Sequence, residues 1–462
     1  MAELIEESAT RVVAMLKSGE IGIGDTLDAL EARIAAVDGE INALPTLCFD
    51  RARAAAEQVD RDSILAGIPV AIKDLDDVAG VRTTSGSLVF ADRVPETSNT
   101  LVECIEQNGG VVYAKSNTPE FGSGAQTFNE VFGATRNPWD LSLTPGGSSG
   151  GAAAALVSGT AWLAQGSDLG GSLRTPASFC GVCSLRPSPG LITSGPSDEP
   201  FDVYAQKGPM ARDVTDLALF ADAMTNASEP GGLSKSVAID EFRRAATNPL
   251  KPLRIACSED LGIADTHADV RAVFNRAMAT LEAEGMNIEA AHPDLSMADA
   301  AFDAPRALGY ALGYGGELDR IRDLIKPENV WNIEYGLQLS NAEILDSMAA
   351  QGQIFNNAAN FMRHYDLLIC PVAIVPPYSV EERYVGESEG LDPSQYYRWL
   401  RLAYAITSTT LPVITVPCGK TDSGLPIGIQ LIGKPHGETA LFGYARFIEQ
   451  VFGWDTTQLI RS

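Results

Sequence analysis

The sequence predicts an α/β fold in which helices cover both faces of a sheet. Two observations carry this. Short, mainly apolar runs at 68–73, 111–115, 253–257, 366–371, 413–417 and 427–432 have the length and composition of buried strands. Stretches with apolar residues at three- and four-residue spacing separate many of them, at 97–108, 150–164, 213–225, 268–284 and 437–451. Strands that alternate with amphipathic helices build a sheet whose two faces both need cover. With 462 residues, 45% of them hydrophobic, the chain can bury a large core.

The elements follow in order. Residues 3–17 and 24–37 have the periodicity of amphipathic helices, with Asp25 as an acid in the first turn of the second, and a further helix lies near 50–60. Gly67-Ile68-Pro69-Val70-Ala71-Ile72 then leads to Lys73 at a strand end, followed at once by Asp74. Neighbours on a strand point to opposite faces, so Asp74 need not pair with Lys73. The most apolar run, 151–164, is too short and too interrupted by Gly and Ser to span a membrane. It is expected to form a buried helix packed closely by small residues. The helix at 268–284 stops at Gly285. The stretch 290–400 holds Tyr310, Tyr314, Trp331, Tyr335, Phe355, Tyr396, Tyr397 and Trp399. These are either ordinary core and surface aromatics or the walls of an apolar substrate pocket.

A net charge of −26 opposes binding to nucleic acid or to anionic membranes. Seven irregularly spaced cysteines do not form a disulfide framework, and Cys180-Gly-Val-Cys183 lacks the second pair that zinc requires, so no metal is expected. The N-terminus carries Glu3, Glu6 and Glu7 in place of a basic and then apolar leader, so the cytoplasm is the expected compartment.

Two serines each follow a glycine pair: Ser148 in Thr144-Pro-Gly-Gly-Ser-Ser-Gly-Gly151, and Ser172 in Asp168-Leu-Gly-Gly-Ser-Leu-Arg174. Glycine pairs allow turns that aim successive N–H groups into one concavity. The N–H groups of Leu169, Gly170, Gly171 and Ser172 are therefore candidate oxyanion donors, with Ser172 as a nucleophile. On these residues alone, a tight turn with a surface serine is the favoured reading. None of the four histidines, His267, His292, His364 and His436, lies near either serine in sequence. Lysine can act as the base only when burial lowers its pKa, and Lys73 at the end of a buried strand meets that condition. A strand-end lysine reaching solvent is the alternative.

Taken together, Lys73, the Gly-Gly-Ser-Ser-Gly-Gly segment and the Asp-x-Gly-Gly-Ser-x-Arg segment resemble the amidase signature family of serine hydrolases. Further similarity lies in Lys115–Phe121, Phe132–Trp139 and Leu425–Gly433. Departures are Ser184 and Thr410 in place of glycine and Arg186 in place of lysine. The resemblance implies one amidase domain over 1–462 around a large mixed central sheet, with 290–400 variable and pocket-forming. It implies a Lys73–Ser148–Ser172 triad with a cis bond at Gly147–Ser148, and Ser149, Asp168 and Arg174 in support. Phe121, Gly122, Ser123 and Gly124 would form a substrate wall, and neither metal nor cofactor would be needed.

The implied reaction is hydrolysis of a carboxylic amide through an acyl-Ser172 intermediate. The expected partner is a small-molecule, linear amide, with no nucleic acid and no membrane, and a homodimer is left open. The rival within the family is a glutaminase-type subunit of a tRNA-dependent amidotransferase. Glu120-Phe121-Gly122-Ser123 matches that subunit's usual pattern only in part. A non-catalytic binding protein would not need Lys73, Ser148 and Ser172 intact.

Overall fold

The computed structural model describes residues 2–193, 195, 199–227, 231–388 and 390–461. Among these, the strands in chain order are β1 (Thr46–Leu47), β2 (Pro69–Lys73), β3 (Val111–Ser116), β4 (Phe128–Asn129), β5 (Gly133–Ala134), β6 (Leu163–Asp168), β7 (Cys183–Arg186), β8 (Gln206–Ala211), β9 (Ile255–Cys257), β10 (Ile288–Ala290), β11 (Leu367–Pro371), β12 (Val413–Lys420) and β13 (Pro426–Ile432). β4 and β5 pair alone; the other strands form one 11-stranded sheet in the order β1-β3-β2-β6-β8-β7-β12-β13-β11-β9-β10. The sheet is mixed. β3–β2–β6 and β11–β9–β10 are parallel, and the intervening pairs and the β1 edge are antiparallel. Every residue of β2, β3, β11 and β13 is buried, which is why these strands are mainly apolar on both faces.

Several helices fall where the periodicity places them, among them Val214–Ala223, Ala268–Ala283 and Glu438–Phe452. Others differ for local reasons. The first amphipathic stretch is two helices, Ala2–Glu6 and Ala9–Ser18, because the Ser8 hydroxyl caps the second by accepting from the Arg11 N–H. The run 150–164 is not one helix. It ends at Ser158, where Gly159 takes a left-handed conformation and returns its N–H to the carbonyls of Ala155 and Leu156, and the chain then enters β6. All of the helix Gly150–Ser158 is buried. A Cβ on Gly151 would lie 2.4 Å from the Asn117 nitrogen and 2.7 Å from the Ala43 oxygen, so only glycine allows that approach.

The stretch 290–400 is mostly helical: Ala298–Tyr314, Pro327–Gln338 and Asn341–Phe361. The last begins with a capping box in which Ser340 Oγ accepts from the Glu343 N–H and Glu343 accepts from the Ser340 N–H.

The strand order positions the site. β2 and β6 are parallel, with Ala71 opposite Ala164, so Lys73 ends its strand beside Ser167 and Asp168. β6 is antiparallel to β8 with Ser167 opposite Lys207. Ligand sites in open α/β sheets lie at such carboxyl ends of parallel strands.

Candidate active site

Lys73 is fully buried, and its Nζ contacts three hydroxyls: Ser148 Oγ at 2.7 Å, Ser149 Oγ at 2.9 Å and Ser167 Oγ at 3.1 Å. Burial, and secondarily Lys207, hold its pKa well below the usual lysine value against the pull of Asp76 and Asp168. Its backbone N–H donates to Gln165 Oε1 at 3.1 Å. The buried Asp76 accepts from Lys207 Nζ at 2.6 Å and from Gln165 Nε2 at 3.0 Å, so its charge is largely spoken for. Asp74 does turn away from Lys73. It accepts from Thr84 Oγ1 at 2.5 Å and lies 3.6 Å from Lys115 Nζ.

Ser148 and Ser149 precede the helix Gly150–Ser158, and the Gly147–Ser148 bond is cis. Ser172 precedes the helix Arg174–Cys180. The two segments meet through the backbone, where the Ser149 N–H donates to the Ser172 carbonyl at 3.1 Å. Among the hydrogen bonds of the described residues, none joins the Ser148 and Ser172 hydroxyls directly. Such contacts are commonly long before substrate binds.

Asp168 organises the loop that carries Ser172. It accepts from the N–H groups of Gly171 at 2.9 Å and Leu173 at 3.1 Å, and from Arg174 Nε at 3.0 Å and Nη2 at 2.9 Å. Arg186 Nη1 approaches the same carboxylate at 3.3 Å. Burial raises the Asp168 pKa, but Arg174 and Arg186 outweigh it and hold the group well below the carboxylate range. Arg174 is 0% exposed, and its Nη1 also donates to the Ala403 carbonyl at 2.8 Å and to Gln430 Oε1 at 2.6 Å. It has no donor left for a substrate. The Gly171 N–H is likewise taken by Asp168, so it is not free to act as an oxyanion donor. Leu169, Gly170 and Ser172 are the remaining candidates. Gly171 sits at φ 118°, where a Cβ would be 2.7 Å from the Ala403 Cβ. Asp168→Asn strands two buried guanidinium groups, and it is expected to lower stability by about 3–5 kcal/mol in urea unfolding.

A cavity of about 280 Å³ opens over the cluster, lined by Ser148, Ser172, Leu169, Gly170, Phe121, Gly122 and Gly124 among others. Ser123 does not line it; its hydroxyl hydrogen-bonds the Tyr396 hydroxyl at 2.9 Å. Of the sequence-predicted aromatics, Tyr310, Tyr314, Tyr396 and Tyr397 reach the cavity, whereas Trp331, Tyr335, Phe355 and Trp399 do not. Phe121 stacks on Tyr314 with ring centroids 4.1 Å apart. Tyr204, Phe302, Arg306 and Lys207 also line it and escaped the sequence reading. Lys207 and Arg306 give no sequence signal, because each reaches the site through tertiary packing. None of the four histidines lines the cavity. Cys180 and Cys183 are buried and unpaired, with their thiol pKa values raised by burial.

Known proteins share this fold. The sequence profile of the amidase family matches residues 25–442. The chain belongs to the amidase signature family. It is 31% identical to a glutamyl-tRNA(Gln) amidotransferase subunit of Geobacter metallireducens, over 98% of this chain and 99% of that protein. The solved structure of 6-aminohexanoate cyclic dimer hydrolase superposes with a TM-score of 0.90 at 26% identity, over 98% of this chain and 99% of that one. The corresponding glutamyl-tRNA(Gln) amidotransferase subunit from Thermotoga maritima superposes with a TM-score of 0.72 at 26% identity, over 93% and 94% of the chains.

These relatives overturn one expectation. A free small-molecule amide with no nucleic-acid partner does not fit a chain whose curated relatives are subunits of a tRNA amidotransferase. The net charge does not decide the matter, because it describes the whole surface. One component of an assembly can serve a tRNA reaction without itself offering a basic face to the nucleic acid.

Proposed function

We propose that the chain is the amide-cleaving, glutaminase-type component of a tRNA-dependent amidotransferase, and that it works through an acyl-Ser172 intermediate. The chemistry rests on one observation: the buried Lys73 amine lies 2.7 Å from the Ser148 hydroxyl. The setting within an assembly is supported by the near full-length match to glutamyl-tRNA(Gln) amidotransferase subunits.

A neutral amine has two N–H donors and one lone pair, yet Lys73 Nζ meets three hydroxyls. One hydroxyl must therefore donate to it. Ser149 Oγ is committed to the Ser167 carbonyl at 3.3 Å, and of the other two hydroxyls Ser148 Oγ lies nearer the lysine, at 2.7 Å against 3.1 Å for Ser167 Oγ, so Ser148 is taken as the donor. In the proposed sequence, Ser148 passes its proton to Lys73 and takes the proton of Ser172. The Ser172 oxygen bonds to the amide carbon, and the negative charge on the carbonyl oxygen is met by the N–H groups of Leu169, Gly170 and Ser172. Collapse breaks the C–N bond, and the lysine proton returns through Ser148 to the leaving ammonia. Water, deprotonated by the same relay, cleaves the ester and restores Ser172.

The test is ammonia release from glutamine by the chain alone and with its amidotransferase partner proteins and glutamyl-tRNA. The proposal predicts that the complete assembly raises the rate and couples it to amidation of the tRNA-bound glutamate. A second reading is hydrolysis without passing the ammonia on. It is favoured by the closer superposition on 6-aminohexanoate cyclic dimer hydrolase than on the Thermotoga maritima amidotransferase component, with TM-scores of 0.90 and 0.72. Full activity of the isolated chain on simple linear amides, unchanged by partner proteins, would select it.

A further inference from the structure

Arg306 stands out among the buried arginines. It lines the same cavity as Ser148 and Ser172, and it is 5% exposed. Its Nη2 donates to the Tyr396 hydroxyl, and its Nη1 is buried with no hydrogen-bond partner. No carboxylate lies within ion-pair distance among the described residues. Arg174 and Arg186 share Asp168, and the buried Arg212 donates from Nη1 and Nη2 to the carbonyls of Ile5 and Glu7. Arg306 has neither kind of acceptor. The acid one turn before it, Asp303, is held by Arg398 at 2.6 Å and by the Tyr397 hydroxyl at 2.7 Å.

Aromatic rings, not acids, surround the guanidinium. Its centre lies 4.0 Å from the Tyr397 ring centroid, 5.2 Å from that of Tyr396 and 5.6 Å from that of Tyr310. Stacking fixes the plane of the fork but does not satisfy its N–H groups. The Tyr396 hydroxyl is locked in turn, accepting from Asn332 Nδ2 at 2.9 Å and meeting Ser123 Oγ at 2.9 Å. The fork is thus held in place, charged and short of an acceptor. The other charges of the cavity wall do not supply one. Asp168 is committed to Arg174 and Arg186, Lys207 to Asp76, and Asp202 to the N–H groups of Tyr204 at 2.7 Å and Ala205 at 3.1 Å.

We infer that Arg306 is a specificity residue that receives a carboxylate on the acyl part of the substrate, so that the site selects ω-carboxylated amides over neutral ones. The inference rests on the acyl-Ser172 reading. If the leaving group is ammonia, only the acyl part remains to be recognised. A planar oxyanion matches the fork and fills its missing acceptor.

Binding can be measured without turnover. The full-length Ser172→Ala chain is titrated calorimetrically with 4-carbamoylbutanoate and with the neutral pentanamide, with and without Arg306→Met or Arg306→Lys. The carboxylated probe should bind more tightly, and Arg306→Met should weaken it at least ~30-fold relative to pentanamide. Arg306→Lys keeps the charge but not the fork and should fall between; if Arg306→Met does not fold, that intermediate loss carries the test. Equal weakening of both probes, or no preference for the carboxylated one, would overturn the inference. Selective binding by a chain that cleaves no amide would instead overturn the proposed function and leave Arg306 its role.

Discussion

Replacing Ser172 with alanine is expected to lower the rate of amide cleavage at least ~10⁴-fold while leaving the unfolding midpoint unchanged. The side chain removed is one hydroxyl that faces the cavity. The loop that holds it is fixed by Asp168, Arg174 and Arg186, not by the serine hydroxyl, so the fold has little reason to respond. Groups that act as one relay fail together, and what survives is catalysis by the remaining backbone donors and by binding. Steady-state kinetics with thermal unfolding as the control checks both halves. A variant that keeps a tenth of the rate would remove Ser172 from the mechanism.

Lys73→Met is expected to cost roughly 10³-fold or more in rate and to change two pH profiles. The base must be neutral, so wild-type activity should be lost at pH values below the folded-state pKa of Lys73 and rise as pH passes through it. Burial and Lys207 place that pKa well below 10.5. Stability carries the same signature. Between the depressed folded-state pKa and 10.5, the unfolded chain binds a proton that the folded chain lacks. The contribution of Lys73 to the unfolding free energy therefore increases with pH across that window. The methionine variant should lose this slope. Identical pH dependence of stability in the two proteins would mean that the lysine is not buried in its neutral form.

The sequence reading located what is local. Glycine pairs before Ser148 and Ser172, and Lys73 at the end of an apolar run, are short-range patterns, and the structure brings all three segments to one cavity. Buried strands such as β2, β3 and β13 are legible because they are mainly apolar on both faces. What escaped depends on tertiary packing. β8 contains Gly208-Pro209, and neither residue suggests a strand, yet its register sets Lys207 beside Ser167. Arg186 entered the sequence reading only as a departure from the family pattern, and its contact with Asp168 spans 18 positions. The break at Gly159 was visible in principle, since a glycine after a helical run is a stop signal, but the apolar residues on both sides hid it. The helices of 290–400 carried two overlooked start signals: Pro327 in a first turn and the Ser340–Glu343 capping box. The expectation of a free small-molecule amide was corrected by the relatives, and the one local hint toward them, Glu120-Phe121-Gly122-Ser123, matches their usual pattern only in part.

Reaction with a fluorophosphonate probe, followed by peptide mass mapping, tests the nucleophile most directly. The proposed chemistry predicts a single adduct on the peptide containing Ser172, absent from Ser172→Ala and strongly slowed in Lys73→Met. An adduct on Ser148 or elsewhere, with Ser172 unlabelled in a chain that cleaves amides, would contradict it.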